Sequence, residues 1–182
     1  MTTFDWQPLL KGELVELRPL RPEDFRELYA VAADPLIWEQ HPAKDRWRED
    51  VFREFFRQSL ESGGALVAID RKDGRIIGSS RFHGYQPRID EMRTSEIEIG
   101  WTFLARSHWG GVYNREMKLL MLRHAFRFVE RVVFLVDPQN FRSQRALEKL
   151  GAVRAGWRNA DGRPSLLYQV AAPALAQVAL HR

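Results

Sequence analysis

The sequence predicts an α/β (α+β) fold with a mixed, mostly antiparallel sheet of about seven strands and with helices on both faces. Two apolar strands meet at an Asp73-Gly74 turn and a third follows them, which indicates consecutive hairpins. A continuous apolar run, Val132–Val136, lies between two helical segments and is typical of a buried parallel strand. Hairpins followed by a strand-helix-strand crossover favour a mixed sheet.

Each element follows from a local pattern, and together they give the order β-α-α-β-β-β-α-β-α-β-β. Alternating or continuous apolar residues predict strands, which span residues 13–20, 65–70, 75–85, 94–104, 132–136, 152–157 and 165–170. Apolar residues at helical spacing predict helices, which run from Pro22 to Asp34 and over residues 49–60, 112–129 and 143–150. Residues 86–92 are predicted as a polar loop and residues 171–182 as a peripheral tail.

The composition indicates a single domain over residues 1–182, with a core over about residues 12–170. Of the 182 residues, 45% are hydrophobic and 12% aromatic, which excludes intrinsic disorder. No apolar run approaches the roughly 20 residues of a membrane span, and the N-terminus lacks the order of a signal peptide. Cysteine is absent, which excludes disulfides and cysteine nucleophiles. We therefore expect a cytoplasmic protein.

The charge balance is mildly basic, with 28 Lys and Arg against 24 Asp and Glu and a net charge of +4. The basic residues are scattered, whereas a nucleic-acid-binding domain usually concentrates them on one face. We therefore expect no nucleic-acid partner and no membrane partner. A small positive excess favours an acidic ligand, including a nucleotide cofactor. The pI near 9.7 is the sole indication of the nucleic-acid alternative.

A glycine-containing loop joins strand 94–104 to helix 112–129 and is the first candidate for chemistry. It ends in Trp109-Gly110-Gly111, directly before the helix. Backbone N–H groups at a helix N-terminus form a natural phosphate site. The same glycines are equally typical of a tight turn, so this pattern alone leaves both interpretations open.

Four motifs stand in a characteristic order along the chain. They are Leu-Arg-Pro-Leu-Arg-Pro-Glu-Asp at 17–24, Glu-Ile-Gly-Trp-Thr-Phe-Leu at 98–104, Trp-Gly-Gly-Val-Tyr-Asn-Arg-Glu at 109–116, and Asn140-x-x-Ser143 continuing to Gly151-Ala152. Together they resemble the Gcn5-related N-acetyltransferase (GNAT) superfamily, most closely its RimJ/RimL-like branch. The resemblance covers about residues 12–170. It departs at the glycine loop, where Val112 stands at the last glycine position and Arg106 lies one residue early.

The resemblance implies acetyl-CoA as co-substrate, held by the glycine loop and by backbone N–H groups near Trp101. The cofactor-binding residues that it implies are Trp101, Phe103, Arg106, Trp109, Gly110, Gly111, Val112, Tyr113, Asn114, Asn140 and Ser143. Two of these have a structural alternative, because Asn140 is also typical of a helix N-cap and Ser143 of a capping serine.

Acetyl transfer to an amine needs a group that collects the amine proton. Glu98 lies on the strand that, by resemblance, faces the acetyl group, and it is the predicted catalytic base. Glu96 shares its strand face and is the alternate, while an ordinary salt-bridged glutamate is the structural alternative. Ser143 is the second predicted catalytic residue, as the proton donor to the departing thiolate.

Trp38, His83 and Tyr85 are the predicted substrate-binding residues, with ordinary packing as the alternative. The five histidines show no metal-ligand spacing, so we predict no metal. The resemblance thus implies an acetyl-CoA-dependent N-acetyltransferase that works by direct attack of a primary amine in a ternary complex. The amine belongs to a protein N-terminus or to a small molecule, and the protein is a monomer or homodimer. The alternative function is a non-catalytic acyl-CoA-binding sensor or scaffold.

Overall fold

The computed structural model describes residues 3–88, 94–160 and 162–172. It confirms the mixed, mostly antiparallel sheet. The strands are β1 (Leu10–Lys11), β2 (Val15–Pro19), β3 (Ala65–Asp70), β4 (Ile76–Gln86), β5 (Glu96–Leu104), β6 (Arg131–Val136), β7 (Val153–Ala160) and β8 (Arg163–Ala171). The helices are α1 (Phe25–Ala32), α2 (Glu49–Glu61), α3 (Val112–Ala125) and α4 (Phe141–Lys149). Part of the predicted loop 86–92 and most of the predicted tail lie outside the described residues.

Among the described residues, the sheet has eight strands in the order β1-β2-β3-β4-β5-β6-β8-β7. The additional strand is β1, which pairs antiparallel with β2 through Leu10–Leu17 and Lys11–Glu16. Two residues are too few for a visible alternation, so the sequence pattern could not indicate this strand. The parallel pair that the apolar run predicted is β5 with β6, with Glu98 opposite Val133.

The chain groups into two compact units. The first unit holds Asp5–Phe82 and Trp101–Leu120, and the second unit holds the described parts of Met1–Phe4, His83–Gly100 and Met121–Arg182. The prediction of a single domain therefore stays a prediction. Each unit is described separately below.

The first unit has an aromatic core built by α1, α2 and the strands next to them. Its buried members are Leu20, Leu28, Ala32, Ile37, Trp38, Phe52, Phe55, Phe56, Ala65, Val67, Ile76 and Phe103. The entry to α1 is fixed by Asp24, which is 5% exposed. Its two carboxylate oxygens accept hydrogen bonds from Arg18 at 2.7 and 2.8 Å, and one also accepts the Arg21 N–H. This bidentate pair gives the motif at residues 17–24 a structural basis.

The second unit is organised by β8, which lies between β6 and β7. β8 pairs antiparallel with β6 from Arg131–Ala171 to Val136–Leu166, and with β7 on its other edge. At the start of β5, the Glu130 carboxylate accepts hydrogen bonds from the N–H and the hydroxyl of Ser95 at 3.2 and 3.4 Å. The beginning of β5 is therefore held at both its backbone and its side chains.

Glu116 in α3 joins the first unit's long helix to its N-terminal strands. Its carboxylate accepts the backbone N–H groups of Glu13, Leu14 and Val15 at 2.9, 2.8 and 2.7 Å. A Cβ added at Gly12 would lie 2.5 Å from both Cδ and Oε2 of Glu116. Glycine is therefore required at position 12 as long as the carboxylate occupies this place.

Glu116→Ala is expected to lower the free energy of unfolding by about 2–4 kcal/mol, because hydrogen bonds to a charged group contribute about 1.5–3 kcal/mol each and these are partly exposed. Gly12→Ala is expected to cost about 1–3 kcal/mol, since it displaces the carboxylate. In the Glu116→Ala background, Gly12→Ala should cost nothing or stabilise slightly. Urea unfolding of the four proteins in this double-mutant cycle measures the coupling. If the costs of the two single substitutions simply add in the double variant, the contact between position 12 and the Glu116 carboxylate is not the reason for glycine at position 12.

Candidate functional site

The glycine loop of the first unit has a backbone that only glycine adopts readily. A 3₁₀ turn at Arg106–His108 follows β5, and α3 begins at Val112. Gly110 and Gly111 have φ values of 107° and 117°, and a Cβ built at either position would meet nothing within 4 Å. Backbone conformation, and not crowding, therefore requires these glycines. Open space therefore lies at both glycines, directly before the first turn of α3, and the N–H groups of such a turn suit a phosphate ligand.

The loop is anchored on both sides of its 3₁₀ turn. The Ala105 N–H donates to the Ile77 carbonyl at 2.8 Å, and Trp109 Nε1 donates to the Leu104 carbonyl at 3.0 Å. Trp109 and Val112 keep 37% and 63% of their surface exposed. The indole nitrogen of Trp109 is therefore used in a hydrogen bond within the loop. The Trp109 ring is partly exposed to solvent, and the Val112 side chain is largely exposed.

Arg106, predicted to bind the cofactor, hydrogen bonds to Asp34 through its Nε. This bond is the main cause that holds the pKa of Asp34 below its ordinary value. Both residues line an open cleft of about 470 Å³ beside α1. In this structure the guanidinium of Arg106 is thus engaged with a carboxylate, and a phosphate would have to compete with Asp34 for it.

Trp101 interrupts the regular backbone of β5 with a φ of 52°. Such a conformation is unusual for a bulky residue and costs of order 1–3 kcal/mol. The Arg81 guanidinium lies over the Trp101 ring, with Cζ 4.1 Å from the ring centroid, and Arg81 is 7% exposed. Phe103, two residues further, is buried in the core. The strained position coincides with the backbone segment predicted to bind the thioester.

Trp38 is a core residue in this structure. It is 2% exposed, its Nε1 donates to the Ala32 carbonyl at 2.7 Å, and its ring lies 5.0 Å from that of Phe103. The neighbouring His41 accepts the Ala43 N–H, and burial together with the charge of Arg46 lowers its pKa to about 3. The packing alternative therefore accounts for the position of Trp38, and its predicted contact with the acceptor stays a prediction.

Glu96 and Glu98 of the second unit have different surroundings. Glu96 is 3% exposed, and its oxygens accept hydrogen bonds from Arg158 at 2.6 Å and from Arg131 at 2.8 Å. Glu98 is half-buried opposite Val133. Its charge also raises the pKa of Arg158, after the larger effects of Glu96. Two guanidinium groups thus engage Glu96, and the predicted role of Glu98 as the base stays a prediction.

Asn140 caps α4 in the second unit. Its Oδ1 accepts the Ser143 N–H at 3.1 Å. This is the structural role that the sequence left open, and it occupies the side-chain oxygen but not the amide NH₂ group. Ser143 is half-buried in the first turn of α4. The roles of both residues toward the cofactor stay predictions.

The other predicted residues lie on accessible or partly accessible surfaces. In the second unit, His83 is exposed, and the half-buried Tyr85 packs against Phe4 with ring centroids 5.4 Å apart. In the first unit, Asn114 is half-buried in the first turn of α3. Their predicted roles in ligand binding stay predictions.

Lys118 in α3 is a buried lysine that the sequence did not single out. It is 5% exposed, and its Nζ donates to Thr102 Oγ1 and, at 3.4 Å, to Ser80 Oγ. The two hydroxyl oxygens are 2.8 Å apart and also bond to each other. Burial lowers the pKa of Lys118 to about 7.

Lys118→Met is expected to flatten the pH dependence of stability between about pH 7 and pH 10.5. Below pH 7 the lysine is charged in both states, and the cost of burying the charge is fully present. As the pH rises above 7, the folded protein loses this proton while the unfolded chain keeps it, so stability rises by up to about 1.4 kcal/mol per pH unit. Urea unfolding at several pH values measures this slope.

The exposed Lys44 provides the matched control. Lys44→Met should leave the slope unchanged, while Lys118→Met should remain folded because the two hydroxyls still pair with each other. An unchanged slope in Lys118→Met would show that Lys118 is protonated throughout this range in the folded protein.

Within the described part of the chain, no group of three or more His, Asp or Glu side chains is arranged to hold a metal ion. The same residues include no helix long and apolar enough to cross a membrane.

A family model for the acetyltransferase (GNAT) domain matches residues 15–153. No curated protein sequence matches the chain with significance. A T. thermophilus protein proposed to be an acetyltransferase is 30% identical, with a TM-score of 0.71 over 98% of this chain and 95% of that one.

Two further solved structures share the fold at lower identity. A GCN5-related N-acetyltransferase from Brucella melitensis is 21% identical, with a TM-score of 0.77 over 94% of this chain and 83% of that one. RimJ from Mycobacterium smegmatis, solved with CoA-disulfide, is 20% identical, with a TM-score of 0.72 over 96% and 94%.

The fold and the family match identify the chain as an acetyl-CoA-dependent acyltransferase. It belongs to the GNAT family of acetyltransferases, which confirms the family resemblance of its motifs.

Proposed function

We propose that this acyltransferase moves the acetyl group of acetyl-CoA to a primary amine by direct attack in a ternary complex. The observation that carries the proposal is the glycine loop, whose two positive-φ glycines lie in open surroundings directly before the N-terminus of α3, where a phosphate ligand binds favourably. The residues present thus fit the pyrophosphate of coenzyme A. With no cysteine in the chain, no thiol of the protein can carry an acyl intermediate. A cytoplasmic location agrees with this role and stays a prediction.

The residues of each unit have separate roles in the proposed reaction. In the first unit, the backbone near Trp101 binds the thioester carbonyl, and residues 109–114 bind the pyrophosphate and the adjacent arm. In the second unit, Glu98 accepts the amine proton, directly or through water. The Asn140 amide contacts the pantetheine arm, and the Ser143 hydroxyl protonates the departing thiolate.

The acceptor is proposed to be either a protein N-terminal amine or a small amine. The motifs resemble the RimJ/RimL-like branch, whose members that resemblance links to ribosomal-protein N-termini. This similarity supports testing a peptide N-terminus first, although function is decided by the site and not by the fold.

Release of free thiol from acetyl-CoA, measured with a panel of amines, tests the proposal. The panel contains peptides with free N-termini, amino acids, polyamines and amine antibiotics. We expect acetyl-CoA to bind and one class of amine in the panel to stimulate thiol release. Mass spectrometry of the product should locate the acetyl group on the amine nitrogen. Binding of acetyl-CoA without turnover on any amine would favour the non-catalytic alternative.

A further inference from the structure

The carboxylate of Asp70, at the end of β3, binds residues on both sides of the glycine pair. Asp70 is 4% exposed, and its Oδ2 lies 3.1 Å from His108 Nε2 and 3.4 Å from the Tyr113 hydroxyl, which donates to it. His108 lies two positions before Gly110, and Tyr113 lies two positions after Gly111. A single carboxylate oxygen therefore holds both flanks of the loop.

Asp70 is itself held in place and charged. Its Oδ1 accepts the Lys72 N–H at 2.9 Å, and its own N–H donates to the Arg75 carbonyl at 2.9 Å. The hydrogen bond from Lys72, and after it the one from His108, keep the pKa of Asp70 below its ordinary value despite burial. The carboxylate is therefore a fixed, ionised acceptor on the hairpin between β3 and β4.

The two aromatic side chains also contact each other. The rings of His108 and Tyr113 meet edge to face, with centroids 4.7 Å apart and planes at 84°. The Nδ1 of His108 lies 2.9 Å from the Ser107 hydroxyl, so both ring nitrogens have partners. Each of these three side chains thus contacts the other two. We call this cluster, formed by Asp70, His108 and Tyr113, the loop clamp.

We propose that the loop clamp positions the glycine loop for coenzyme A, with Asp70 and His108 acting as positioning residues that do not touch the reacting atoms. Fixing a glycine backbone costs conformational entropy, and a loop held before the ligand arrives has already lost that entropy. The clamp leaves Gly110 and Gly111 open while it fixes the residues around them. This inference rests on the proposed function, because it concerns the same cofactor.

Asp70→Asn keeps the shape of the side chain and removes the charge that holds His108. We expect the dissociation constant of coenzyme A, measured by calorimetry, to rise about tenfold, which corresponds to the ordering of about one further backbone residue on binding. The KM for acetyl-CoA should rise equally, while kcat at saturating acetyl-CoA stays unchanged. Asp73→Asn is the matched control, because Asp73 lies in the same turn but pairs with Arg75, and it should bind coenzyme A as the wild type does.

Two variants keep the test open if Asp70→Asn fails to fold. His108→Phe and Tyr113→Phe each keep an aromatic ring and lose one hydrogen bond to Asp70. Each should weaken coenzyme A binding, and their combined effect should be smaller than the sum. Wild-type affinity in the folded Asp70→Asn protein, or in both phenylalanine variants, would overturn the clamp. Failure of the wild type to bind coenzyme A would instead overturn the proposed function.

Discussion

Glu98→Gln is expected to lower the turnover number by about 10²–10⁴-fold near neutral pH, the usual contribution of a general base. Glutamine keeps the shape of the side chain but cannot accept the proton that an ammonium group must lose before it attacks the thioester. The dissociation constant of acetyl-CoA should change little, because Glu98 is not among the residues proposed to bind the cofactor. The loss should shrink at high pH, where the free amine is abundant without help. Steady-state rates from neutral to alkaline pH measure the loss of turnover and its decrease at high pH.

Glu96→Gln separates catalysis from structure. Glu96 is buried and bonds to Arg131 and Arg158, whose side chains are 36% and 39% exposed. Because solvent screens the two guanidinium groups, removing the charge of Glu96 is expected to cost about 1–3 kcal/mol. This variant should therefore lower the melting temperature, the outcome expected of a structural glutamate. Wild-type turnover of Glu98→Gln at every pH would refute the assignment of the base.

Local patterns were sufficient for most elements and failed mainly at their ends. The third helix was predicted to reach Val129, whereas α3 ends at Ala125. Beyond it the N–H groups of Arg127 and Phe128 bond to the carbonyls three residues earlier, at 3.2 and 2.9 Å, so the last turn tightens. The fourth helix was predicted from Ser143, but it starts at Phe141 because Asn140 is its N-cap. Apolar spacing continues through the tightened turn after α3 and begins only after the first residues of α4. It therefore cannot mark the residue at which either helix ends or begins.

The glycine loop could be predicted because its signal is local, whereas the groups that hold it could not. His108 reaches Asp70 across 38 positions, and Glu116 reaches the β1–β2 turn across more than 100. Lys118 lies in a helix among apolar residues. Nothing beside it in the sequence indicates that its hydroxyl partners are Ser80 and Thr102, on two different strands. Such contacts are set by the tertiary fold, and a single sequence contains no pattern that pairs them.

Arg106 shows a second limit of motif reasoning. The resemblance assigns it to the cofactor, and position alone is compatible with that assignment. The structure shows that its guanidinium bonds to Asp34, whose side chain also accepts the Leu36 N–H and so caps the turn after α1. A motif thus indicates which residue types stand near a ligand, but competing partners decide which of them are available to bind it.

Gly111→Asp should weaken coenzyme A binding by about 100-fold and abolish the rise in melting temperature that the ligand causes by mass action. First, an aspartate adopts the φ of 117° poorly. Second, its carboxylate places a like charge beside the pyrophosphate, and the repulsion between the two reaches about 1–4 kcal/mol. Gly63→Asp is the matched control, because Gly63 also has a positive φ, 67°, and open surroundings but lies at the end of α2. Calorimetric titration of both variants with coenzyme A, with melting curves to confirm folding, should find normal binding in Gly63→Asp alone. Equal dissociation constants for Gly111→Asp and the wild type would show that the phosphates bind elsewhere.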